Sequence, residues 1–582
     1  MSSTLRTSSF FCCLALAAAP TAFAADASSA FAPATQKVLE NPAAEDWLMF
    51  SRTYDGQRFS PLEQVNRKTV KDLAIAWDQE LPAGQMYGIP LAYRGMLYVL
   101  APGDVLIAYD GATGKQVWRY DHEETAAQKQ STRAKTIAMY EDMIYLATGD
   151  NHIAAVDMQT GKLRWNTEVT GGGAQTSGVI AVKGMVVSGR ACAQTRDSCF
   201  TAAHDAKTGK ELWRFYHVPA KGEPGSETWG DSPNHDKNMA STWGLPGSYD
   251  PKRNLILWGV ANPMPNTRMD RHGGNSAGTG FTAPADLYSN STVALEPETG
   301  KLKWYYQHLP ADDWDEDYTN DRTLVHTKIN PDPKKVKWIN EEARGKEFDV
   351  SVMIGEGGGV FVIDRDSGRF LWAHPYPFES DRFLISDIDT KTGKTTINRK
   401  VVLEKPGDER IICYWNTRSF WPTAYSPRTN SVYATYIDNC LDMTAKSDQA
   451  REKRFGVFRP EGDPQKISGL AKINLETGEI MHFNQSRVPT TGSMLTTAGG
   501  IVFNGDLGSH FRAFNDETGE LLWDTKVGGP ISVSTITYAA GGKQYVAIQT
   551  GDTMASGSLT RQSGTEAPRG FNHLYVFALP KK

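Results

Sequence analysis

Short apolar runs alternate with polar turns along most of the chain in one recurring unit: an apolar strand, a turn carrying Thr-Gly or Ser-Gly, and a second strand ending in tryptophan. The unit reads Ala108-Tyr-Asp-Gly-Ala-Thr-Gly-Lys-Gln-Val-Trp118, then Ala155-Val-Asp-Met-Gln-Thr-Gly-Lys-Leu-Arg-Trp165, then Ala203-His-Asp-Ala-Lys-Thr-Gly-Lys-Glu-Leu-Trp213. Further copies end at Trp304, at Trp372, at His482 where tryptophan is replaced, and at Trp523, seven in all. In each, Asp or its substitute opens the turn and Gly takes the positive-φ place that closes a tight hairpin. Such a unit cannot bury both faces alone, so copies must stack, and antiparallel blades around an axis are the usual solution. An eighth blade assembles from the two ends, Leu73-Ala-Ile-Ala-Trp77 and His573-Leu-Tyr-Val-Phe-Ala-Leu579, which leaves no free sheet edge. The expectation is an all-β, eight-bladed propeller with tryptophan docking between blades, one domain over 25–582, closed by both termini.

Turn glycines are closely spaced from Gly114 through Gly161 to Gly209 and widely spaced from Gly209 through Gly300 and Gly368 to Gly478. Insertions on a rigid scaffold are where binding residues concentrate, so the middle of the chain is expected to carry the site. Pro219 to Lys237 and Thr444 to Lys466 read as loop insertions. The acidic run Asp312-Asp-Trp-Asp-Glu-Asp317 stands out there. It reads either as a solvated loop or, if the backbone is extended so that Asp315 and Asp317 share a face, as a pair of oxygen ligands for one hard cation.

The first 24 residues carry Arg6, the apolar run from Phe10 and Ala22-Phe-Ala24, the pattern of a cleaved secretory signal. No later run is apolar enough to span a bilayer, and mean hydropathy is -0.45. Of six cysteines, Cys12 and Cys13 fall in the signal. The other four face an oxidising compartment; Cys192 with Cys199 and Cys413 with Cys440 is the neighbour pairing among three possible connectivities. There is no Cys-x-x-Cys-His haem attachment motif. A net charge of -5 without basic clusters argues against nucleic acid.

From Trp47-Leu-Met-Phe-Ser-Arg-Thr-Tyr-Asp-Gly-Gln-Arg-Phe-Ser60 to the closing strand, the chain resembles the quinoprotein alcohol dehydrogenases, periplasmic propellers that bind pyrroloquinoline quinone (PQQ) and a metal ion. Trp314-Asp315-Glu-Asp317 matches the segment of the catalytic aspartate, which puts the base at Asp315 and makes Asp317 similar to the extra carboxylate of lanthanide-using members. Ser241-Thr-Trp243-Gly244 matches the segment whose tryptophan underlies the quinone, and Gly259-Val-Ala-Asn262-Pro-Met-Pro265 the segment whose asparagine ligates the metal. Thr176 matches a hydroxyl that bonds the cofactor. The family's ligating glutamate aligns with Gln194, a neutral amide, so Asp317 also reads as compensation in a calcium site.

The family's adjacent-cysteine disulfide has no counterpart, and its nearby arginine aligns with Lys135, a point charge rather than a fork. A further basic position aligns with Glu356, for which an arginine such as Arg418 would have to substitute, and an amide with Phe420. Tyr87 and Thr491 are further departures near the cavity. The resemblance implies oxidation of a primary or secondary alcohol to an aldehyde or ketone, with electrons passed to a separate cytochrome c. The other reading is a non-catalytic exported propeller that has lost PQQ, favoured by Gln194, Glu356 and Phe420.

Overall fold

Trp118 ends the first copy of the repeat, and its indole lies on Gly161, the turn glycine of the next copy; a Cβ at Gly161 would stand 2.7 Å from the ring. The indole Nε1 donates to the Met158 carbonyl at 3.0 Å. The same two contacts recur as Trp77 meets Gly114 and donates to the Gly111 carbonyl, Trp165 meets Gly209 and donates to that of Ala206, and Trp213 meets Gly300 and donates to that of Pro297. The repeat thus specifies how one sheet docks on the next.

The computed structural model describes residues 32–123, 133–230, 232–233, 235–447, 450–566 and 571–580. They form eight blades of antiparallel strands in a ring. Blade 1 runs Leu91–Tyr93, Met96–Ala101, Val105–Asp110 and Gln116–Asp121, its first strand buried throughout and its last mostly exposed apart from Trp118. Blades 2 to 7 follow over 137–168, 179–216, 248–307, 323–374, 424–486 and 495–526. Blade 8 joins the ends as expected: Ala74–Glu80 is its outer strand and pairs antiparallel with His573–Ala578, which continues through Lys543–Thr550 to Ile536–Ala540. Trp523 of blade 7 packs edge-on against Phe577 of blade 8 with ring centroids 5.6 Å apart. No helix among the described residues is long and apolar enough to cross a membrane. The expected signal at 1–24 lies outside the described residues.

Both neighbour disulfides form, Cys192–Cys199 across a loop of blade 3 and Cys413–Cys440 across an inserted sheet. That sheet corrects one expectation: 444–466 is not simply a loop. Asn439–Ser447 pairs with Glu409–Cys413 on one side and Ala450–Phe458 on the other. The overlooked signal is the alternation Leu441, Met443, Ala445, all buried, with Asp442 and Thr444 between them on the other face. Among its described residues the stretch 219–237 does hold only short turns of helix, Ser226–Trp229 and His235–Lys237.

Docking predicts a contrast between two glycine-to-alanine changes. Gly161 and Gly345 both have positive φ, at 69° and 79°, but a Cβ at Gly345 meets nothing within 4 Å. Both variants carry the left-handed backbone cost of about 1–2 kcal/mol, and Gly161→Ala adds about 1–3 kcal/mol for overpacking against Trp118. Urea unfolding is expected to show the lower midpoint for Gly161→Ala; equal midpoints would contradict the docking.

Candidate functional site

The loops that carry the chain from the outer strand of one blade to the inner strand of the next bring their side chains together at one mouth of the ring. Tyr87 precedes blade 1, Lys135 blade 2, Thr176 blade 3, Trp243 blade 4, Asp315 and Asp317 blade 5, and Phe420 blade 6. Asn262 and Glu356 follow the second strands of blades 4 and 5. All of them line one cavity of about 360 Å³, with Arg133, Cys192, Asn416, Ser419 and Met554. That is within the range of roughly 300–1,000 Å³ usual for small-molecule sites.

The acidic run is not a solvated loop. Asp312, Asp313, Glu316 and Asp317 are all buried, and the backbone is not extended: Asp315 has φ 69°. Asp312 builds the turn, its Oδ1 accepting from the Trp314 and Asp315 amides at 2.5 and 3.1 Å and its Oδ2 from the Glu316 amide at 2.8 Å. Asp313 pairs with buried Arg268 at 2.7 Å. Trp314 anchors the run from below, donating from Nε1 to the Val401 carbonyl at 2.9 Å. The turn thereby delivers Asp315 and Asp317 to the cavity without an extended strand.

There they meet Asn262. Its backbone N–H donates to Asp317 Oδ1 at 2.8 Å, and its side-chain Nδ2 donates to Asp315 Oδ1 at 3.0 Å. Trp243 Nε1 donates to Asp317 Oδ2. Burial and the neighbouring Asp315 charge push the Asp317 carboxyl up to about 7 despite these two hydrogen bonds. Glu356 is likewise raised well above the carboxylate range, by burial and by the Asp317 charge, while the Ser419 hydroxyl donates to its Oε1.

On the other side, Lys135 is 1% exposed. Its ammonium donates to the carbonyls of Thr176 at 2.8 Å and Trp243 at 2.9 Å, and sits 5.1 Å from the ring centroids of both Trp243 and Phe420 and 5.8 Å from that of Tyr87. Burial, aided by the Arg133 charge, lowers its pKa well below the usual lysine value against the pull of Glu356. Thr176 Oγ1 also donates to the Trp243 carbonyl, at 3.2 Å. The loop carrying Trp243 is therefore held by both neighbours, and Phe420 stands edge-on to the indole at 5.9 Å.

Three expected positions are not in the cavity. Gln194 is exposed, with φ 68°, on the loop closed by Cys192–Cys199; Ala191 and Cys192 line the wall instead, because the chain turns outward after them. Arg418 is buried beneath the site, pairing with Asp321 and donating to the Ile354 carbonyl at 2.7 Å, so it cannot offset Glu356. Thr491 bonds the Ile531 carbonyl at 3.1 Å, away from the cavity. Arg133, Trp415, Asn416 and Met554 line it and were not singled out from the sequence. Arg133 sits two residues before Lys135, a cue that was available; the others meet the site only through ring closure.

A family model described as "PQQ: Glucose/ethanol/alcohol dehydrogenase, beta-propeller domain" matches residues 47–374 and 459–546. The chain is 29% identical over 616 residues to quinohemoprotein alcohol dehydrogenase ADH IIB of Pseudomonas putida, covering 100% of this chain and 83% of that protein. It is 27% identical to quinoprotein alcohol dehydrogenase PedH of Pseudomonas putida, over 95% and 94% of the two chains. Among solved structures, a europium-containing methanol dehydrogenase matches with a TM-score of 0.80 over 94% of this chain and 100% of that one at 22% identity, a likeness of fold.

The state of Asp317 predicts a pH-dependent stability. The folded protein keeps its proton up to about pH 7, whereas an unperturbed aspartate releases it near 3.8. This carboxyl's contribution is fully present below about pH 4 and is lost as pH rises toward 7. Asp317→Asn in the metal-free protein is therefore expected to become progressively more stable relative to wild type from pH 4 to pH 8, read by thermal midpoints. A relative stability that is flat or falls over that range would rule out a buried, proton-holding Asp317.

Proposed function

The chain belongs to the PQQ-dependent glucose, ethanol and alcohol dehydrogenase β-propellers, and from that premise we propose that it oxidises a primary or secondary alcohol to an aldehyde or ketone in the periplasm. PQQ and one calcium or lanthanide ion are its cofactors in this reading, and a cytochrome c is its external electron acceptor. The observation that carries the reading is the meeting of Trp243, Asn262, Asp315 and Asp317, far apart in sequence, in one cavity at the mouth of the ring.

The side chains present fit both groups. Asp315 and Asp317 touch the same asparagine, and Asp317 holds its proton to about pH 7, so the pair is short of positive charge that a hard cation would supply. Asn262 Oδ1 accepts no hydrogen bond among the described residues and can join Asp315 and Asp317 as an oxygen ligand. Histidine, cysteine and carboxylate side chains alone form no metal-binding group among the described residues, so the amide is integral to this set. Facing them, the buried Lys135 ammonium bonds only carbonyls among the described residues, and Arg133 lies beside it; both suit an organic acid. Glu356 opposes this less than an ordinary carboxylate would, because burial and the Asp317 charge raise its pKa well above the carboxylate range.

When bound, the quinone supplies the two-electron acceptor for the carbinol hydride and the cation supplies Lewis acidity. Trp243 offers its indole as a flat apolar support, and Lys135 and Arg133 bind acid groups. Asp315 takes the hydroxyl proton on a carboxylate oxygen, with Asn262 Nδ2 holding its orientation. Gln194 has no part in this set.

Purified protein given PQQ with calcium or a light lanthanide is expected to retain a quinone absorbance band after gel filtration and to gain thermal stability. Neither change with either metal would overturn the reading. In dye-linked assays over an alcohol panel, Asp315→Asn is expected to lower kcat by about 10²–10⁴-fold while the band persists. Full activity in that variant would remove Asp315 as the base.

A further inference from the structure

A second cavity, of about 610 Å³, adjoins the first and shares Asp315, Trp415 and Met554 with it. Its walls are Trp421 and the helix Met554–Ser563, which presents Leu559 and Arg561. We propose that this outer cavity is a subsite for the body of the alcohol substrate, and that the substrate is an aryl alcohol bearing a carboxylate at the end remote from its hydroxyl. The proposal rests on the dehydrogenase reading above.

The helix is a fixed wall rather than a loose flap. Thr553 and Ser556 cap its start reciprocally, Gly564 closes its end in the left-handed conformation, and the Met554 amide donates to the Tyr87 hydroxyl at 2.9 Å. Arg487 holds the other end through the Ser563 carbonyl. Met554 and Leu559 face the same space as two tryptophans, an enclosure far larger than a two-carbon alcohol fills and matched in chemistry to an aromatic ring.

Charge sets the direction of the occupant. Asp315 lines both cavities, whereas Arg561 lines only the outer one and forms no ion pair among the described residues. A second donor lies on the same wall: Trp421 is 2% exposed, and its Nε1 has no acceptor among the described residues. A buried indole N–H normally has a partner. A carboxylate tail is repelled from Asp315 and attracted by Arg561, so the molecule enters with its hydroxyl toward the base. Turnover of 4-(hydroxymethyl)benzoate, the simplest such compound, yields 4-formylbenzoate; the hydroxyl proton goes to Asp315 and the hydride to the bound quinone.

Two measurements test this. The first is binding of 4-methylbenzoate, which has no hydroxyl, against 4-methylbenzamide, read by calorimetry on the PQQ- and calcium-loaded protein. The acid is expected to bind about tenfold more tightly, and Arg561→Gln to abolish the difference. Equal binding of acid and amide to the wild type would overturn the proposal, as would a preference that survives in the variant. The second is kcat/KM for 4-(hydroxymethyl)benzoate against benzyl alcohol, whose ratio is expected to fall about tenfold in Arg561→Gln. Turnover of benzyl alcohol with no preference for the acid sinks this proposal alone. Arg561-dependent binding of 4-methylbenzoate with no alcohol turned over sinks the dehydrogenase reading and leaves the carboxylate subsite standing.

Discussion

The contact on which the structure depends is an indole ring laid on a glycine of the neighbouring sheet. A side chain on the glycine would collide with the ring, as at Gly114, Gly161, Gly209, Gly300 and Gly368, so five of the blades have a bare patch on which the preceding tryptophan packs. At the first four of these the accompanying Nε1 hydrogen bond, worth about 0.5–1.5 kcal/mol net, fixes the angle of approach as well as adding stability, while Trp304 on Gly368 has no Nε1 acceptor among the described residues. Because the ends of the chain are paired, the angles must close on eight blades, and closure brings residues from 87 to 555 to one mouth. Tryptophan docking lapses at two successive junctions: Gly478 meets Val336 instead of Trp372, and Phe483, one residue after His482, covers Gly519. His482 instead stacks on Phe378 with centroids 4.5 Å apart. The first of these junctions borders the long insertion carrying Trp415 and Phe420, so the repeat is relaxed where the site needs extra chain.

At the mouth, the governing constraint is that carboxylates must be buried there. Each member of the run from Asp312 to Asp317 meets that cost differently. Asp312 is hydrogen-bonded by its own turn and Asp313 is neutralised by Arg268, whereas Asp317 has only two donors and another acid beside it, and keeps its proton. Asp312 and Asp313 thus have donors on both oxygens and a turn or a cation to hold them, whereas Asp317 faces the charge of Asp315. Unmet electrostatic demand of this kind collects at sites that bind something charged.

The ring was legible in the sequence because its signal is repeated: a turn glycine and a tryptophan four residues on, copied along the chain, make an error at one copy harmless. The inserted hairpin at 439–458 was missed because its charged residues dominate the composition, although the alternation of Leu441, Met443 and Ala445 was there to be read. At the site, Trp243, Asn262, Asp315, Asp317, Thr176 and Lys135 were found through segments resembling a known family, and all six line one cavity. Gln194 was placed by the same kind of match and does not. It lies inside a disulfide loop, where alignment carries residue order but not the direction in which a short constrained loop points. Trp415, Asn416 and Met554 carry no local mark; only closure of the ring makes them neighbours.

The departures from the family pattern become intelligible when taken together. Lys135 in place of arginine, Phe420 in place of an amide, and Tyr87 are three faces of one change, because the ammonium lies within 5.8 Å of all three ring centroids once Trp243 is included with the two new aromatics. A planar guanidinium needs coplanar acceptors to use its fork, and an apolar ring in place of an amide removes one of them. A compact ammonium instead points its hydrogens at the Thr176 and Trp243 carbonyls and rests its charge against π faces, each contributing on the order of 0.5–2 kcal/mol. Burial still depresses its pKa, so those contacts do not fully replace an anionic partner. Across the cavity, Glu356 stands where a cation is expected, its pKa raised well above the carboxylate range by burial and by the Asp317 charge. An anion entering beside Lys135 and a cation entering between Asp315 and Asp317 would each relieve a strain that the protein side chains leave in place.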